Sequence, residues 1–302
     1  MILVVGLSPA WQRTLEFESF SVGEVNRAQQ VTVTASGKGV NVARVAKALG
    51  TDVRLLTVAG GQRGELLAQS LRAQRISARI VRVAAETRVC QTVLANGVAT
   101  ELVEENGPLS RVEVGEVLKV FRSELAQARM LVLVGTVPPG CGENFYARLV
   151  KLAAMQRVRV FVDAQKGQLL NAIRKKPFLV RVNRQELAAA TGLARVDAAA
   201  RRLLRRGVEW VVISRGPGAV EVFHKHEQWS VKPPKVKAVN PIGSGDSMLA
   251  GIACALVQGQ PMADAMRLGV ACGAANALTE TSGVVRTMDV RRLLRQIRKV
   301  GY

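Results

Sequence analysis

The sequence has 302 residues and is 48% hydrophobic, which excludes a disordered chain and is enough for one large α/β domain. The formal net charge of +20 would attract polyanions, but aromatic residues make up only 4%, too few for the stacking platforms of a single-strand nucleic-acid binder. We therefore interpret the charge as solvated, arginine-rich helix faces that help to collect anionic small molecules. We expect no nucleic-acid partner, and a nucleic-acid-associated basic protein is the alternative.

Short apolar runs alternate with helical patterns along most of the chain. The predicted strands lie at 2–5, 53–58, 130–134, 158–162, 178–181 and 210–214. The predicted helices among them lie at 40–49, 64–73, 112–126, 144–155 and 185–191. Hairpin-like strands follow at 219–223 and 228–231, and three helices complete the chain. This alternation predicts a mostly parallel central sheet with helices on both faces.

Two segments, 14–34 and 78–105, break this alternation because they look like strands with no helix between them. Residues 15–17 and 31–33 alternate apolar with polar side chains, as strands of one-sided sheets do. We predict that the two segments pair into a small β lid over the functional site.

Four widely separated cysteines predict reduced thiols, because no pair has the spacing of a disulfide or zinc framework. The opening run M-I-L-V-V-G has no basic region before it, so it indicates a first strand and not a signal peptide. The longest apolar helical run, 248–257, is too short to span a bilayer. We expect a cytoplasmic protein without a membrane partner.

The run N-P-I-G-S-G-D-S at 240–247 is the most informative motif, because two glycines precede an acid and an apolar helix pattern. A helix N-terminus offers unpaired N–H groups and a partial positive charge, which together can hold an anion. We predict that Asp246 is a general base, and that the N–H groups of Gly243, Ser244 and Gly245 stabilise charge on a transferred phosphoryl group. The alternative is an acid that merely caps the helix.

A second glycine element, S-G-K-G-V-N-V-A at 36–43, opens another helix near the N-terminus. Gly37 and Gly39 would let the backbone approach a ligand closely. Lys38 carries a point charge that suits a phosphate, and Asn41 offers both a donor and an acceptor to hydroxyl groups.

The two glycine elements together resemble the paired signatures of the ribokinase-like (PfkB) sugar kinases, over nearly the whole chain. The motif at 240–247 looks most like that of the tagatose-6-phosphate kinase branch. The segments V-N-R at 25–27 and E-T-R-V-C at 86–90 resemble segments of the 1-phosphofructokinase and tagatose-6-phosphate kinase subfamily. The resemblance implies a ribokinase-like α/β sandwich that forms one kinase domain over 1–302, with a discontinuous β lid at about 12–34 and 86–106. It also implies ATP and Mg²⁺ as cofactors and the phosphorylation of a ketohexose phosphate to a bisphosphate.

The resemblance further assigns residues to the sugar phosphate. Arg88, in E-T-R-V-C, aligns with an arginine that grips the existing phosphate, and Arg27, in V-N-R, is a second candidate. Gln12 stands where relatives carry an acid that binds sugar hydroxyls, and Ser36 stands where they carry glycine. Thr136 lies in a loop that the family places beside the sugar. Because Gln12 and Ser36 depart from the family pattern, a sugar-phosphate-binding homologue with low or altered activity, or a kinase for another sugar or a nucleoside, is the alternative.

The remaining candidates concern the nucleotide and the metal. The resemblance places Ser214, Gly216 and Gly218 in a turn that holds nucleotide, and Asn276 beside adenine. Asn183 and Glu186 match the family's N-x-x-E motif, which would organise Mg²⁺ through water; the alternative is an ordinary capping box. The exposed lid sheet could also pair with a second lid and form a homodimer.

Two histidines, His224 and His226, would share one face of a strand and could bind a metal, although an exposed hairpin is the preferred interpretation.

Overall fold

The computed structural model describes residues 1–301, which form two β-sheets and the helices that cover the larger one. The strands are β1 (Ile2–Val5), β2 (Ala10–Glu16), β3 (Gln30–Ser36), β4 (Val53–Ala59), β5 (Ala78–Arg82), β6 (Val89–Ala95), β7 (Val98–Val103), β8 (Met130–Val134), β9 (Arg159–Asp163), β10 (Leu179–Asn183), β11 (Trp210–Ser214), β12 (Val220–His224), β13 (Gln228–Val231) and β14 (Lys299–Gly301). The helices are α1 (Lys38–Ala48), α2 (Gly61–Ala73), α3 (Arg111–Leu125), α4 (Phe145–Met155), α5 (Lys166–Ile173), α6 (Arg184–Thr191), α7 (Val196–Arg205), α8 (Ser244–Val257), α9 (Met262–Asn276) and α10 (Thr287–Leu294).

The larger sheet has ten strands in the order β14-β13-β12-β11-β10-β9-β8-β1-β4-β5. The strands from β11 to β5 in this order are parallel, and β12, β13 and β14 add an antiparallel edge. The predicted α/β fold with a mostly parallel central sheet is therefore confirmed.

The core lies on both faces of this sheet, because alternate side chains of a strand point to opposite faces. Every residue of β1 is buried, as expected for a central parallel strand. Ile2 and Val4 pack in a cluster with α1, α8 and α9, whereas Leu3 and Val5 pack in a cluster with α3, α4 and α5. Because the central strands are parallel, their carboxyl ends lie at one common edge of the sheet, where the loops that follow them converge.

The smaller sheet has four strands in the order β3-β2-β6-β7, and it draws them from two separated stretches of chain. One part of our expectation was wrong: β5 lies within the segment assigned to the small sheet but pairs with β4 of the large one. The reason is that α2 forms a crossover between β4 and β5, which returns the chain to the same sheet in parallel orientation.

Two elements were not predicted: the short helix α5, and β14, which follows the last helix and pairs with β13. The arginines of α7 have helical spacing in the sequence, but no bounds were predicted for that helix. Among residues 1–301, no helix combines the length and the apolar character that crossing a bilayer would require.

Candidate active site

A cavity of about 520 Å³ lies where the carboxyl edge of the parallel strands meets the small sheet. This edge is the usual ligand position in open α/β sheets. The cavity is lined by twelve of the predicted site residues, namely Gln12, Gly37, Lys38, Gly39, Asn41, Arg88, Thr136, Asn183, Glu186, Gly243, Gly245 and Asp246. The other six predicted residues lie outside its lining, namely Arg27, Ser214, Gly216, Gly218, Ser244 and Asn276. The fold thus brings the two glycine elements to one cleft.

Asp246 is the third residue of α8 and is only 6% exposed. Its Oδ2 accepts a hydrogen bond from Asn41 Nδ2 at 2.8 Å, which joins the two glycine elements directly. Burial raises the pKa of Asp246 to about 6, against the opposing charge of Lys38 and with a further contribution from Asp163. A carboxylate with such a pKa can take up and release a proton near neutral pH.

Two glycines at the start of α8, Gly243 and Gly245, line the cavity. Gly243 has φ +82°, a left-handed conformation that glycine adopts without strain. The N–H groups of the first helical turn have no acceptor within the helix, so Gly245 can donate to an anion. Ser244 differs from our expectation, because its N–H donates to the Pro241 carbonyl at 3.2 Å and the residue does not line the cavity. Of the three predicted amides, those of Gly243 and Gly245 therefore stay candidates for holding an anion, and that of Ser244 does not.

A buried charge network lies beneath the start of α8. Asp163, the last residue of β9, is 1% exposed; its Oδ1 lies 2.7 Å from Lys38 Nζ and its Oδ2 lies 2.8 Å from Arg181 Nη1. Burial acts to raise the pKa of Asp163, but Lys38 and Arg181 outweigh it and lower the value to about 2. Burial acts to lower the pKa of Lys38, yet Asp163 and Asp246 raise it to about 12. Both cations therefore stay charged beside Asp246.

Gly245 packs directly over the guanidinium of Arg181. A Cβ atom at position 245 would lie 2.3 Å from Arg181 Nη2, closer than any ordinary contact. Glycine at position 245 therefore allows the start of α8 to pack against Arg181 of the charge network.

Asn41 was predicted to contact sugar hydroxyls, and its amide already has partners within the protein. Its Oδ1 accepts from Ser36 Oγ at 3.4 Å while its Nδ2 donates to Asp246. Ser36 Oγ also lies 3.2 Å from the hydroxyl oxygen of Ser282. Asn41 therefore orients the carboxylate of Asp246, and Ser36 supports that arrangement.

Gln12 is buried on β2 with its amide oriented by the small sheet. Its Nε2 donates to Thr92 Oγ1 at 2.9 Å and to the Arg13 carbonyl at 3.4 Å. Thr136 also lines the cavity, and its carbonyl accepts a hydrogen bond from Ser8 Oγ at 2.6 Å. Both predicted sugar contacts thus have fixed positions at the cavity wall.

Arg88 lines the cavity and is held by three backbone carbonyls. It donates to Glu104 at 2.9 Å, to Ser8 at 3.1 Å and to Pro9 at 3.3 Å. A guanidinium has five N–H groups, so two are left for a ligand. Arg27, the second candidate, is exposed in the loop between β2 and β3, and the structure does not bring it to the cavity.

Asn183 and Glu186 form a capping box at the start of α6. Asn183 Oδ1 accepts from the Glu186 N–H at 2.8 Å, and Glu186 Oε2 accepts from the Asn183 N–H at 2.8 Å. Gln165 Nε2 donates to the other carboxylate oxygen at 2.8 Å. The capping box that we named as the alternative for this motif is therefore present, and both residues also line the cavity.

Ser214, Gly216 and Gly218 lie at the end of β11 and in the turn after it, beyond the cavity lining. Ser214 is nevertheless connected to the site, because its Oγ accepts from Arg181 Nη2 at 2.8 Å.

Asn276 does not lie where an adenine neighbour would be accessible, because it is fully buried. Its Nδ2 donates to the Ile242 carbonyl at 2.8 Å and to Ser244 Oγ at 3.2 Å, and its Oδ1 accepts from the Gly283 N–H at 2.7 Å and from Ser247 Oγ at 3.2 Å. We correct its assignment from a nucleotide contact to a residue that positions the loop before α8.

The two histidines do not share a strand face. His224 is the last residue of β12 and stacks on Trp210, whereas His226 lies in the turn that follows. The exposed-hairpin interpretation therefore fits the structure better than a metal pair.

Asp163 was missed by the sequence reasoning, although a signal was available. It closes the apolar strand β9, and an acid at the carboxyl end of a parallel strand faces the ligand edge of such a sheet.

Comparison with known proteins agrees with this geometry. The chain matches the model of the pfkB family carbohydrate kinases over residues 1–286. A tagatose-6-phosphate kinase from Staphylococcus epidermidis is 30% identical, over 98% of each chain. A possible 1-phosphofructokinase from Thermotoga maritima superposes with a TM-score of 0.91 at 21% identity, covering 100% of this chain and 99% of the other. Phosphofructokinase-2 from Escherichia coli, in a tetrameric inhibited form, superposes with a TM-score of 0.86 at 25% identity over 98% of each chain. The chain therefore belongs to the PfkB family of carbohydrate kinases.

Proposed function

We propose that this protein phosphorylates a ketohexose phosphate with ATP and yields a bisphosphate. The observation that carries the proposal is the hydrogen bond between Asn41 and Asp246, which unites the two glycine elements at the mouth of one cavity. The tagatose-6-phosphate kinase relative supports the same substrate class. The acceptor sugar is fructose 1-phosphate, fructose 6-phosphate or tagatose 6-phosphate.

Asp246 acts as the general base in this proposal. It accepts the proton of the free primary hydroxyl as the hydroxyl oxygen forms a bond to the γ-phosphorus of ATP. The bond between that phosphorus and the bridging oxygen breaks, and ADP leaves. The N–H groups of Gly243 and Gly245 stabilise the charge on the transferred group, and Lys38 contributes a fixed positive charge nearby.

ATP extends from the start of α8 toward the turn that contains Ser214, Gly216 and Gly218. Magnesium, when bound with ATP, neutralises phosphate charge. Glu186 and Asn183 fit an indirect role toward the metal, because each Glu186 carboxylate oxygen already accepts one hydrogen bond and keeps a lone pair for water. We place the reaction in the cytoplasm, where ATP and phosphorylated sugars are available.

The small sheet serves as the lid of a single kinase domain over 1–302. Its four strands come from two stretches of chain and cover the cavity with Gln12, Cys90, Glu101 and Val103. Closure of such a lid would exclude water and limit wasteful hydrolysis of ATP.

The outer face of the small sheet is a candidate dimer surface. Val31, Val33 and Leu102 are each about half exposed there, and a second small sheet would cover them. Sedimentation velocity distinguishes the resulting homodimer from a monomer.

An ADP-release assay tests the proposed function. We expect turnover with at least one of the three ketohexose phosphates and a much lower kcat/KM with unphosphorylated sugars. Thermal stabilisation by a sugar phosphate without ADP release would instead favour a binding protein with little activity. Turnover with unphosphorylated sugars or nucleosides alone would contradict the substrate class.

The pH dependence of kcat/KM should follow the ionisation of Asp246. Only the charged carboxylate can accept a proton, and its pKa is about 6. We therefore expect activity to fall by about tenfold between pH 7 and pH 5, with an apparent pKa near 6. Initial rates of bisphosphate formation, measured by phosphorus NMR without coupling enzymes, check this. A flat profile down to pH 5 would contradict the assignment of the base.

Replacing Arg88 by alanine should raise the KM for the sugar phosphate by roughly 10–100-fold. This is the loss of affinity expected when one charge-assisted hydrogen bond is removed. The KM for ATP should change by less than about twofold, because Arg88 lies at the small-sheet end of the cavity. Arg63→Ala is the matched control, since Arg63 is also bonded to Glu104 but lies outside the cavity. Equal losses for both substrates would refute the phosphate role.

A further inference from the structure

Glu101 is a carboxylate of the cavity that the proposed mechanism does not use. It lies on β7 directly opposite Thr92 of β6, which in turn lies opposite Thr14 of β2. Residues in one such row share a sheet face, so Glu101 belongs to the inner face of the small sheet together with both threonines. The two threonines are buried, whereas Glu101 is solvent-accessible and free to meet a ligand.

Gln12 is on the same inner face, two residues before Thr14. Because its Nε2 donates to Thr92 and to the Arg13 carbonyl, its Oε1 is the amide atom left for a ligand. Position 12 therefore provides a neutral acceptor with a fixed direction. A sugar hydroxyl that needs a charged acceptor must find it elsewhere in the cavity.

Glu101 shares the cavity with two cationic side chains, Lys38 and Arg88. Desolvation by neighbouring atoms raises the pKa of Glu101, and the charges of Lys38 and Arg88 both oppose that rise. Both cations are thus within electrostatic range of the carboxylate. Lys38 marks the end where phosphoryl transfer would occur and Arg88 marks the end that would hold the existing phosphate. The stretch between them is where a ketohexose phosphate carries its secondary hydroxyls.

Resting on the proposed function, we propose that Glu101 is a specificity-determining residue that accepts a hydrogen bond from a secondary hydroxyl of the sugar phosphate. Gln12 Oε1 accepts from a neighbouring hydroxyl, so the small sheet offers one charged and one neutral acceptor. A charged acceptor gives the stronger hydrogen bond and rejects an epimer whose hydroxyl points away.

Isothermal titration without ATP tests this inference, with fructose 6-phosphate and tagatose 6-phosphate as probes. The two sugars differ in the direction of one hydroxyl. We expect Glu101→Gln to weaken binding of the preferred sugar phosphate by roughly tenfold or more, because a charged hydrogen bond is replaced by a neutral one. The ratio of the two dissociation constants should move closer to one. Glu101→Asp should retain more of the preference than Glu101→Gln. Competition by inorganic phosphate, which reports on Arg88, should be unchanged.

Glu116→Gln removes an equal charge from an exposed position on α3 and should leave both affinities unchanged. Thermal unfolding of each variant establishes that the fold is intact. If Glu101→Gln binds both sugars as tightly as the unmodified protein, the inference is wrong while the kinase function stands. If the unmodified protein binds neither sugar and releases no ADP with either, the proposed function fails for these substrates and the inference fails with it.

Discussion

Replacing Asp246 by asparagine is expected to lower kcat by about 10²–10⁴-fold, the range that a positioned general base contributes. The amide keeps the shape of the carboxylate, and its oxygen can still accept the hydrogen bond from Asn41 Nδ2 that the structure shows at 2.8 Å. Substrate binding should therefore change little, so the loss should appear in kcat with a nearly constant KM. Steady-state kinetics at pH 7.5 with the preferred sugar phosphate measure both constants.

Asp264→Asn is the matched control for this variant. Asp264 is the third residue of α9, as Asp246 is of α8, but it lies on the surface in an ion pair with Arg267. The control removes the same charge from the same helical position, so it reports any general effect on the start of a helix. If Asp246→Asn retained most of its turnover, another residue would have to accept the proton.

The same substitution should increase stability at neutral pH. The pKa of Asp246 in the folded protein is about 6, above the ordinary value of 3.8, so the folded state holds the proton more tightly than the unfolded state. The protonated carboxyl group of Asp246 therefore makes its full contribution to the free energy of unfolding below pH 3.8. This contribution is lost as the pH rises through 6. At pH 7 the ionised carboxylate costs about 3 kcal/mol, and Asp246→Asn should recover part of it. Urea denaturation at pH 7 measures the gain.

Replacing Asp163 by asparagine is expected to destabilise the fold by about 3–5 kcal/mol, because Lys38 and Arg181 would keep their charges without a buried counter-ion. Asp163 is 1% exposed and lies within 2.8 Å of both cations. Activity should fall as well, since Lys38 would be drawn toward Asp246. Denaturant unfolding at pH 7 measures the stability loss.

The pH dependence of this loss separates the ion pair from a packing defect. The pKa of Asp163 is about 2, below its ordinary value of 3.8, so its charge stabilises the fold above pH 3.8 and ceases to do so as the pH falls through 2. The difference between the two proteins should therefore shrink from pH 4 toward pH 2. Asp52→Asn, at a 79% exposed position, should change stability by less than about 0.5 kcal/mol. A deficit that persists unchanged in acid would point to packing instead.

The central strands could be predicted from the sequence because their signal is local. Ile2–Val5, Met130–Val134 and Trp210–Ser214 are apolar runs whose bounds the structure reproduces without change. The helix α5 was missed because it is short and its apolar periodicity is weak, whereas the arginines of α7 already have helical spacing in the sequence.

The candidate site was predictable only where a residue type and a backbone signal coincide. Asp246 follows a glycine loop and was found, whereas Asp163 closes an ordinary apolar strand and acquires its importance from Lys38, which is 125 residues away in the sequence. Arg27 was placed in the site by resemblance, and the loop that carries it points its side chain to solvent. Which side chains meet depends on topology, which no local pattern encodes.

The four hydrogen bonds of Asn276 have a consequence for mutational screens. This amide ties Ile242, Ser244, Ser247 and Gly283 together from inside the protein. Substitutions there would impair catalysis by letting the peptide units before α8 drift, even though the amide is sealed from solvent. An inactive variant at position 276 would therefore indicate that Asn276 positions the reaction centre. It would not show that Asn276 contacts a ligand.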